Sequence, residues 1–215
     1  MGSSIGDDGL ETGVETGFDT DLRARIHAAT LRCLARWGVS KTTLEDVARE
    51  AGCSRATLYR TVSGGKNALM ASTLDIEIQR LYRTVDSEVA GAETLDDLLV
   101  AGIGSATRFL GDHATFQFLL AHEPDVVLPF LAFDRLEETF RSATGYVRRH
   151  LERFLPRDAA GDGAEWVVRV LMSYLLTPSD VVDLRRESDA RRVVRTYLLP
   201  GLSRSAQLST PQPSV

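Results

Sequence analysis

The sequence encodes an all-α protein, and three observations say so. Apolar residues recur at intervals of three and four along almost every segment, the spacing of one helix face. Nowhere do apolar and polar residues alternate over the length of a strand, and no internal repeat is present. Glycines, prolines and small polar residues divide the segments where helices start and stop. With 215 residues, 43% of them hydrophobic, the chain can bury a core, and its length allows one domain or two.

Residues 1–18 are rich in glycine and acid and poor in apolar side chains, so they are expected to be disordered. From Asp19 or Thr20 a helix runs to about Trp37, with Leu22, Ile26, Ala29, Leu31, Leu34 and Trp37 at helical spacing, and Gly38 ends it. Thr43 then caps a short helix, with Asp46 at the position of a capping-box partner. Leu44, Val47, Ala48 and Ala51 form its buried face. Gly52 suits the left-handed residue that closes a helix, and Ser54 caps a second short helix, Arg55–Arg60. Ser63–Lys66 is a turn. A long helix follows to about Ala90, and Thr94 caps the next, which runs to Leu110. Thr115–His122 is a short helix stopped near Pro124. Asp125 to about Leu155 reads as one long helix bent at Pro129. Pro156–Gly163 reads as a loop. Ala164–Leu176 and Glu187–Leu199 are the last two helices, and residues 203–215 form a second disordered tail.

The overall charge of −5 conceals an uneven distribution. Residues 1–20 hold five acids and no base, whereas residues 21–70 hold nine Lys or Arg against four acids. Local field governs approach to phosphate more than whole-chain charge does. The basic excess surrounds two capped short helices joined by a tight turn, a unit suited to setting one helix against DNA. Arg55 and Arg60 offer the forked donors that match guanine edges, and Thr57 can meet a thymine methyl or a phosphate. Ser54 and the backbone N–H groups beside it can meet phosphate. Which arginine reads a base and which meets phosphate stays open. Glu45 is expected to point to solvent or to pair with a neighbouring arginine.

From Trp37-Gly38 through Thr43, Val47-Ala48, Ala51-Gly52, Ser54 and Thr57-Leu58-Tyr59 to Lys66 and Ala68-Leu69, residues 20–70 resemble the helix-turn-helix of the TetR family of bacterial transcriptional regulators. The register matches at many positions. Thr61 and Val62 depart from it, standing where the family often has a histidine and an aromatic, and the turn Ser63–Lys66 is one residue longer. The resemblance implies an N-terminal three-helix DNA-binding domain, residues 19–66, and a larger C-terminal helical domain, residues 67–202, for effector binding and dimerisation. It implies that Thr43, Tyr59 and Lys66 meet the DNA backbone and that Arg55 and Thr57 lie near bases. Lys41, Thr42, Ser54, Arg60 and Thr61 complete the expected DNA-binding set.

In the C-terminal part the resemblance implies a ligand pocket among the middle helices. The expected lining is His113, Phe116, Gln117, His122, Phe130, Phe133, Asp134, Trp166 and Met172, chemistry suited to a hydrophobic or amphipathic effector. It also implies that the last two helices pack against a second subunit. Trp166, Val167, Val170, Leu171, Tyr174, Val193, Val194, Tyr197 and Leu198 exceed what one buried face of each helix needs, and a homodimer interface explains the surplus.

Catalysis finds little in this chain. His122-Glu123 lacks the second histidine of a helical zinc site, no serine carries nucleophile-elbow glycines, and Gly102-Ile103-Gly104 follows no strand. The four histidines are scattered, Cys33 and Cys53 have no metal-ligand spacing, and no cofactor is expected. No apolar run spans a bilayer and no signal pattern opens the chain, so a cytoplasmic protein without a membrane partner is expected. The expectation is therefore a homodimeric, ligand-responsive repressor of a palindromic operator in double-stranded DNA. The alternative is a helical interaction module that uses its basic face for a protein partner.

Overall fold

The computed structural model describes residues 11–126 and 136–208, with side chains at 19–126 and 139–207. Among the described residues every regular element is a helix. The chain divides into two compact units between Glu77 and Ile78.

The first unit begins with α1, Glu11–Lys41. It starts eight residues before the expected Asp19, so residues 11–18 are helical rather than without structure. Gly38, at φ 78° and ψ 177°, breaks the helix where the sequence places its end. Next come α2, Leu44–Ala51, α3, Arg55–Thr61, and α4, Gly65–Val89. Ile26, Ala29, Cys33, Val47, Ala48, Ala51, Leu58 and Leu69 are buried together, with Leu22, Trp37, Leu44, Val62 and Met70 packed around them. Leu69 and Met70 belong to α4, so the start of that helix is part of the three-helix core. His27 Nε2 and Glu77 Oε1, 2.6 Å apart, join α1 to α4 within this unit. The first compact unit therefore takes in the start of α4 as well.

The second unit contains the rest of α4, then α5, Leu95–Asp112, and α6, Ala114–His122. It continues with α7, Leu136–Leu151, and α8, Arg157–Leu176. Thr94 caps α5 as expected, its Oγ1 accepting the Asp97 N–H at 3.1 Å. The expected bend at Pro129 lies outside the described residues, and α7 stops at Leu151 rather than Leu155. Pro156–Gly163 is not a loop. Pro156 precedes the first turn of α8, and Ala159, Ala160 and Ala164 are fully buried within that helix. Gly163 serves packing: a Cβ there would lie 2.5 Å from Leu202 Cδ2 and 3.3 Å from Leu151 Cδ1.

The final helix also outruns expectation. α9, Glu187–Val193, passes through a π turn, Val194–Leu198, into α10, Leu199–Leu208. In that turn the Leu199 N–H reaches back to the Val194 carbonyl. The wider turn shifts the ladder by one carbonyl beside Pro200, which has no N–H to give, so proline does not stop the helix. Residues 203–208, expected to be disordered, are helical. The core joins Val85, Val89, Leu98, Leu99, Ile103, Tyr146, Leu151, Ala164, Val167, Val193, Val194 and Leu198. Asp96 at the start of α5 receives Arg191 at 2.8 Å and Arg195 at 2.8 Å, fixing α9 against α5. No helix among the described residues is long and apolar enough to cross a membrane.

Candidate nucleic-acid interface

Two short helices stand because both are capped and pinned. At α2, Thr43 Oγ1 accepts the Asp46 N–H at 3.2 Å, and the Thr43 N–H donates to Asp46 Oδ2 at 3.2 Å. The Thr43 hydroxyl hydrogen bond, foremost, holds the Asp46 carboxyl below its usual range, with Arg49 contributing. Gly52, at φ 65° and ψ 39°, closes α2 in the left-handed conformation. Arg25 on α1 then reaches over that end, its Nη2 donating to the Ala51 carbonyl at 2.7 Å and the Gly52 carbonyl at 3.1 Å. This guanidinium satisfies orphan carbonyls and complements the negative helix end.

α3 starts at Ser54, whose Oγ accepts the Thr57 N–H at 3.0 Å and lies 2.8 Å from Thr57 Oγ1. Seven residues are too few for a helix to stand in water, so the fully buried Leu58 anchors it to the core. That orientation leaves Arg55, Tyr59 and Arg60 exposed, Tyr59 at 47%. Arg55 and Tyr59, four residues apart, share one face. Thr57 is half-buried, and Thr61 donates its hydroxyl to the Thr57 carbonyl at 3.0 Å.

The basic residues divide into engaged and free. Arg23 pairs with Asp19 at 2.9 Å and Arg32 with Glu50 at 2.6 Å. Arg49 pairs with Asp46, and Arg55 with Glu45, the partner the sequence left open for that acid. Lys66 Nζ donates to the Ser40 carbonyl at 3.4 Å. Arg36 lies over the Trp37 ring. Lys41 and Arg60 are exposed and meet no carboxylate among the described residues. The Thr42 side chain is a correction to the expected set. It is 1% exposed and its hydroxyl donates to the Gly38 carbonyl at 2.6 Å, so it fastens the α1 break. Sequence reasoning missed Arg25 as a cap, because its carbonyls lie 26 residues away. Both cysteines are free thiols; burial, with Glu50 and Asp46 nearby, pushes Cys33 up.

The expected ligand residues that the structure describes lie at the start of α6, on α6 and on α8. His113 caps α6, its Nδ1 accepting the Phe116 N–H at 3.1 Å, and Gln117 donates to the Leu110 carbonyl at 2.9 Å. His122 is exposed and stacks on Phe118. Phe116 and Met172 are half-buried, and Trp166 is exposed; Phe130, Phe133 and Asp134 lie outside the described residues. The expected dimer residues fall into two groups. Val167, Val193, Val194 and Leu198 lie inside the subunit's own core, Val194 without exposure. Val170, Leu171 and Tyr174 are half-buried, whereas Trp166 and Tyr197 stand 63% and 69% exposed.

The sequence signature of bacterial regulatory proteins of the tetR family matches residues 26–72, which run from the core of α1 through α3 into α4. An uncharacterised HTH-type transcriptional regulator of Mycobacterium tuberculosis is 26% identical over 185 residues, covering 84% of this chain and 86% of the relative. Among solved structures, the TetR family repressor AlkX from a Dietzia strain, implicated in n-alkane biodegradation, superposes with a TM-score of 0.60. It shares 22% identity and covers 84% of this chain and 96% of its own. SmeT in complex with triclosan gives a TM-score of 0.54 at 21% identity, covering 90% and 99%. SmeT is the repressor of a multidrug efflux pump of Stenotrophomonas maltophilia. Matched signature over residues 26–72, capped helix-turn-helix and shared all-α fold together identify this chain as a TetR-family transcriptional regulator with a DNA-binding helix-turn-helix.

Proposed function

We propose that the protein is a ligand-responsive repressor that binds a palindromic operator as a homodimer. One observation carries the reading: a rigidly capped α3 turns Arg55, Tyr59 and Arg60 outward while Leu58 fixes its opposite side. Residues 19–66 act as the DNA-binding domain, with Lys41, Thr43, Ser54, Arg55, Thr57, Tyr59, Arg60, Thr61 and Lys66 at the DNA. Residues 67–202 bind the effector and dimerise, with exposed Trp166 and Tyr197 supporting a subunit contact beside half-buried Val170, Leu171 and Tyr174. Two reader helices about one DNA turn apart then meet successive major-groove half-sites.

The effector is a small hydrophobic or amphipathic molecule. That SmeT was solved with triclosan supports a ligand response in this fold. Release requires the effector to bind one conformer better than the other. In that conformer α4 carries the readers out of operator spacing. Such a regulator works in the cytoplasm.

The test is selection of bound sequences from random duplex DNA with the purified full chain, followed by titration on the enriched duplex at several salt concentrations. A palindromic consensus bound more tightly than scrambled duplex, with affinity falling as salt rises, is the expected result. Enrichment of no sequence would overturn the reading.

A further inference from the structure

α3 closes on the core through one side chain, and that fixes which residues lead on its opposite side. Successive residues of an α-helix turn by about 100°. Leu58 is fully buried. Ala56 and Arg60, each about 160° from it around the helix axis, therefore form the crest of the outward face. Both are exposed. Thr57 and Tyr59 stand about 100° from Leu58, on opposite flanks. Ala56 thus sits in the middle of the surface that meets DNA, and no role has been given to it so far.

The chain neighbours of Ala56 are polar, and both are engaged. The Arg55 guanidinium pairs with Glu45 of α2. Thr57 Oγ1 lies 2.8 Å from Ser54 Oγ, which also accepts the Thr57 N–H at 3.0 Å. Two hydroxyls joined by one hydrogen bond keep a single outward O–H between them. What remains at the crest beside Arg60 is a methyl group that can neither donate nor accept. A long side chain at this position would hold the helix off the base edges, whereas alanine lets the backbone come close.

Base edges in the major groove differ in what they offer such a methyl. Guanine, adenine and cytosine present only donors and acceptors, while thymine adds its C5-methyl group to an O4 acceptor. A polar edge pressed against Ala56 loses water and gains no partner, which costs binding; two methyl groups gain by leaving water together. We infer that Ala56 is a specificity-determining residue, packing its side-chain methyl on the 5-methyl group of a thymine in each half-site. The inference rests on the operator reading above and adds to it one base position and the feature recognised there.

The duplex enriched by the full chain from random DNA supplies the test. Each dT of the half-site is replaced in turn by dU, which lacks only the methyl group, and affinity is read by fluorescence anisotropy. One replacement should weaken binding by about fourfold per half-site, the worth of one buried methyl, and by roughly fifteenfold when both half-sites carry it. Ala56→Gly removes the protein's methyl, so dT and dU duplexes should then bind it within about twofold of each other. Thr57→Ser, which drops the neighbouring methyl, should keep the preference for dT. Because glycine loosens a short helix, Ala56→Gln supplies a second reading: it is a good helix former whose amide suits adenine. Repeated selection with Ala56→Gln should change the consensus at the dU-sensitive base pair and nowhere else. A consensus half-site without thymine, indifference to every dT-to-dU change, an undiminished dT preference in Ala56→Gly, or an unaltered consensus from Ala56→Gln would overturn this inference and leave the repressor reading standing. Enrichment of no sequence by the wild-type chain would overturn that reading, and this inference with it.

Discussion

Salt dependence offers a direct measure of which cations meet DNA. Each phosphate contact releases condensed counterion and contributes about 0.9 to the slope of log affinity against log salt. Nine basic residues in 21–70 invite the expectation that all nine contribute. In the folded unit Arg23, Arg32, Arg49 and Arg55 hold carboxylates, while Arg25 and Lys66 hold backbone carbonyls. Arg36 lies over the Trp37 ring, which leaves Lys41 and Arg60 as exposed cations with none of these partners among the described residues. The double variant Lys41→Ala/Arg60→Ala removes two contacts from each subunit, four from a dimer, so its slope should be shallower by about 3.6. Over a fourfold rise in salt its affinity should then fall by about two decades less than wild type. Arg32→Gln, which unpairs Glu50, is the control and should change the slope by less than about 1. Fluorescence anisotropy on the selected duplex, across a KCl series, reads both. An unchanged slope in the double variant would refute the division into free and engaged cations, as would an equal change in Arg32→Gln.

Three further outcomes follow from the packing. Gly161→Ala, where a Cβ meets nothing within 4 Å, should stabilise by about 0.5–1 kcal/mol through helix propensity, whereas Gly163→Ala, pressed by Leu202 and Leu151, should destabilise by about 1–2 kcal/mol; opposite displacements of the urea midpoint check the pair. Thr43→Ala should cost about 1 kcal/mol near neutral pH through the lost cap. Because the Thr43 hydroxyl lowers the folded Asp46 pKa, its stabilisation is present above the unfolded carboxylate value of about 3.9 and is lost as pH falls through the folded one. The gap between Thr43→Ala and wild type in urea titrations should therefore narrow in acid. Trp166→Glu should give a folded monomer by light scattering with weakened operator binding, and a dimer as stable as wild type would count against a contact at that tryptophan.

What the sequence reveals here is what neighbours in the chain decide. Thr43 with Asp46, Gly52, Ser54 with Thr57 and Thr94 with Asp97 are all caps or turns made within three residues, and each forms as read. The misreadings involve partners far away. Gly163 looks like part of a loop until Leu202, 39 residues on, presses against it. Pro200 looks like a stop because its missing donor is a local fact, while the π turn beside it shows only in three dimensions. At the interface, charge could be counted from the sequence but its engagement could not. Arg32 finds Glu50 18 residues away, and Arg25 finds its carbonyls at 26.

That difference bears on how the reader works. A basic surface of nine mobile cations would bind any duplex, since phosphate attraction carries no sequence information. Tying Arg25, Arg32 and Arg49 into the folded unit converts a third of those cations into support for α2. In the proposed reading, selectivity then rests on the few side chains that α3 presents in a fixed orientation. Arg55 is the telling case: its pairing with Glu45 crosses from α3 to α2, so the guanidinium is both oriented and partly neutralised before DNA arrives. Base edges must then offer more than Glu45 does, a condition that a guanine's paired acceptors meet better than a phosphate encountered at random. An acid beside the reader helix weakens binding everywhere. It weakens non-specific binding most, which is the direction a regulator facing a whole genome of competing sites requires.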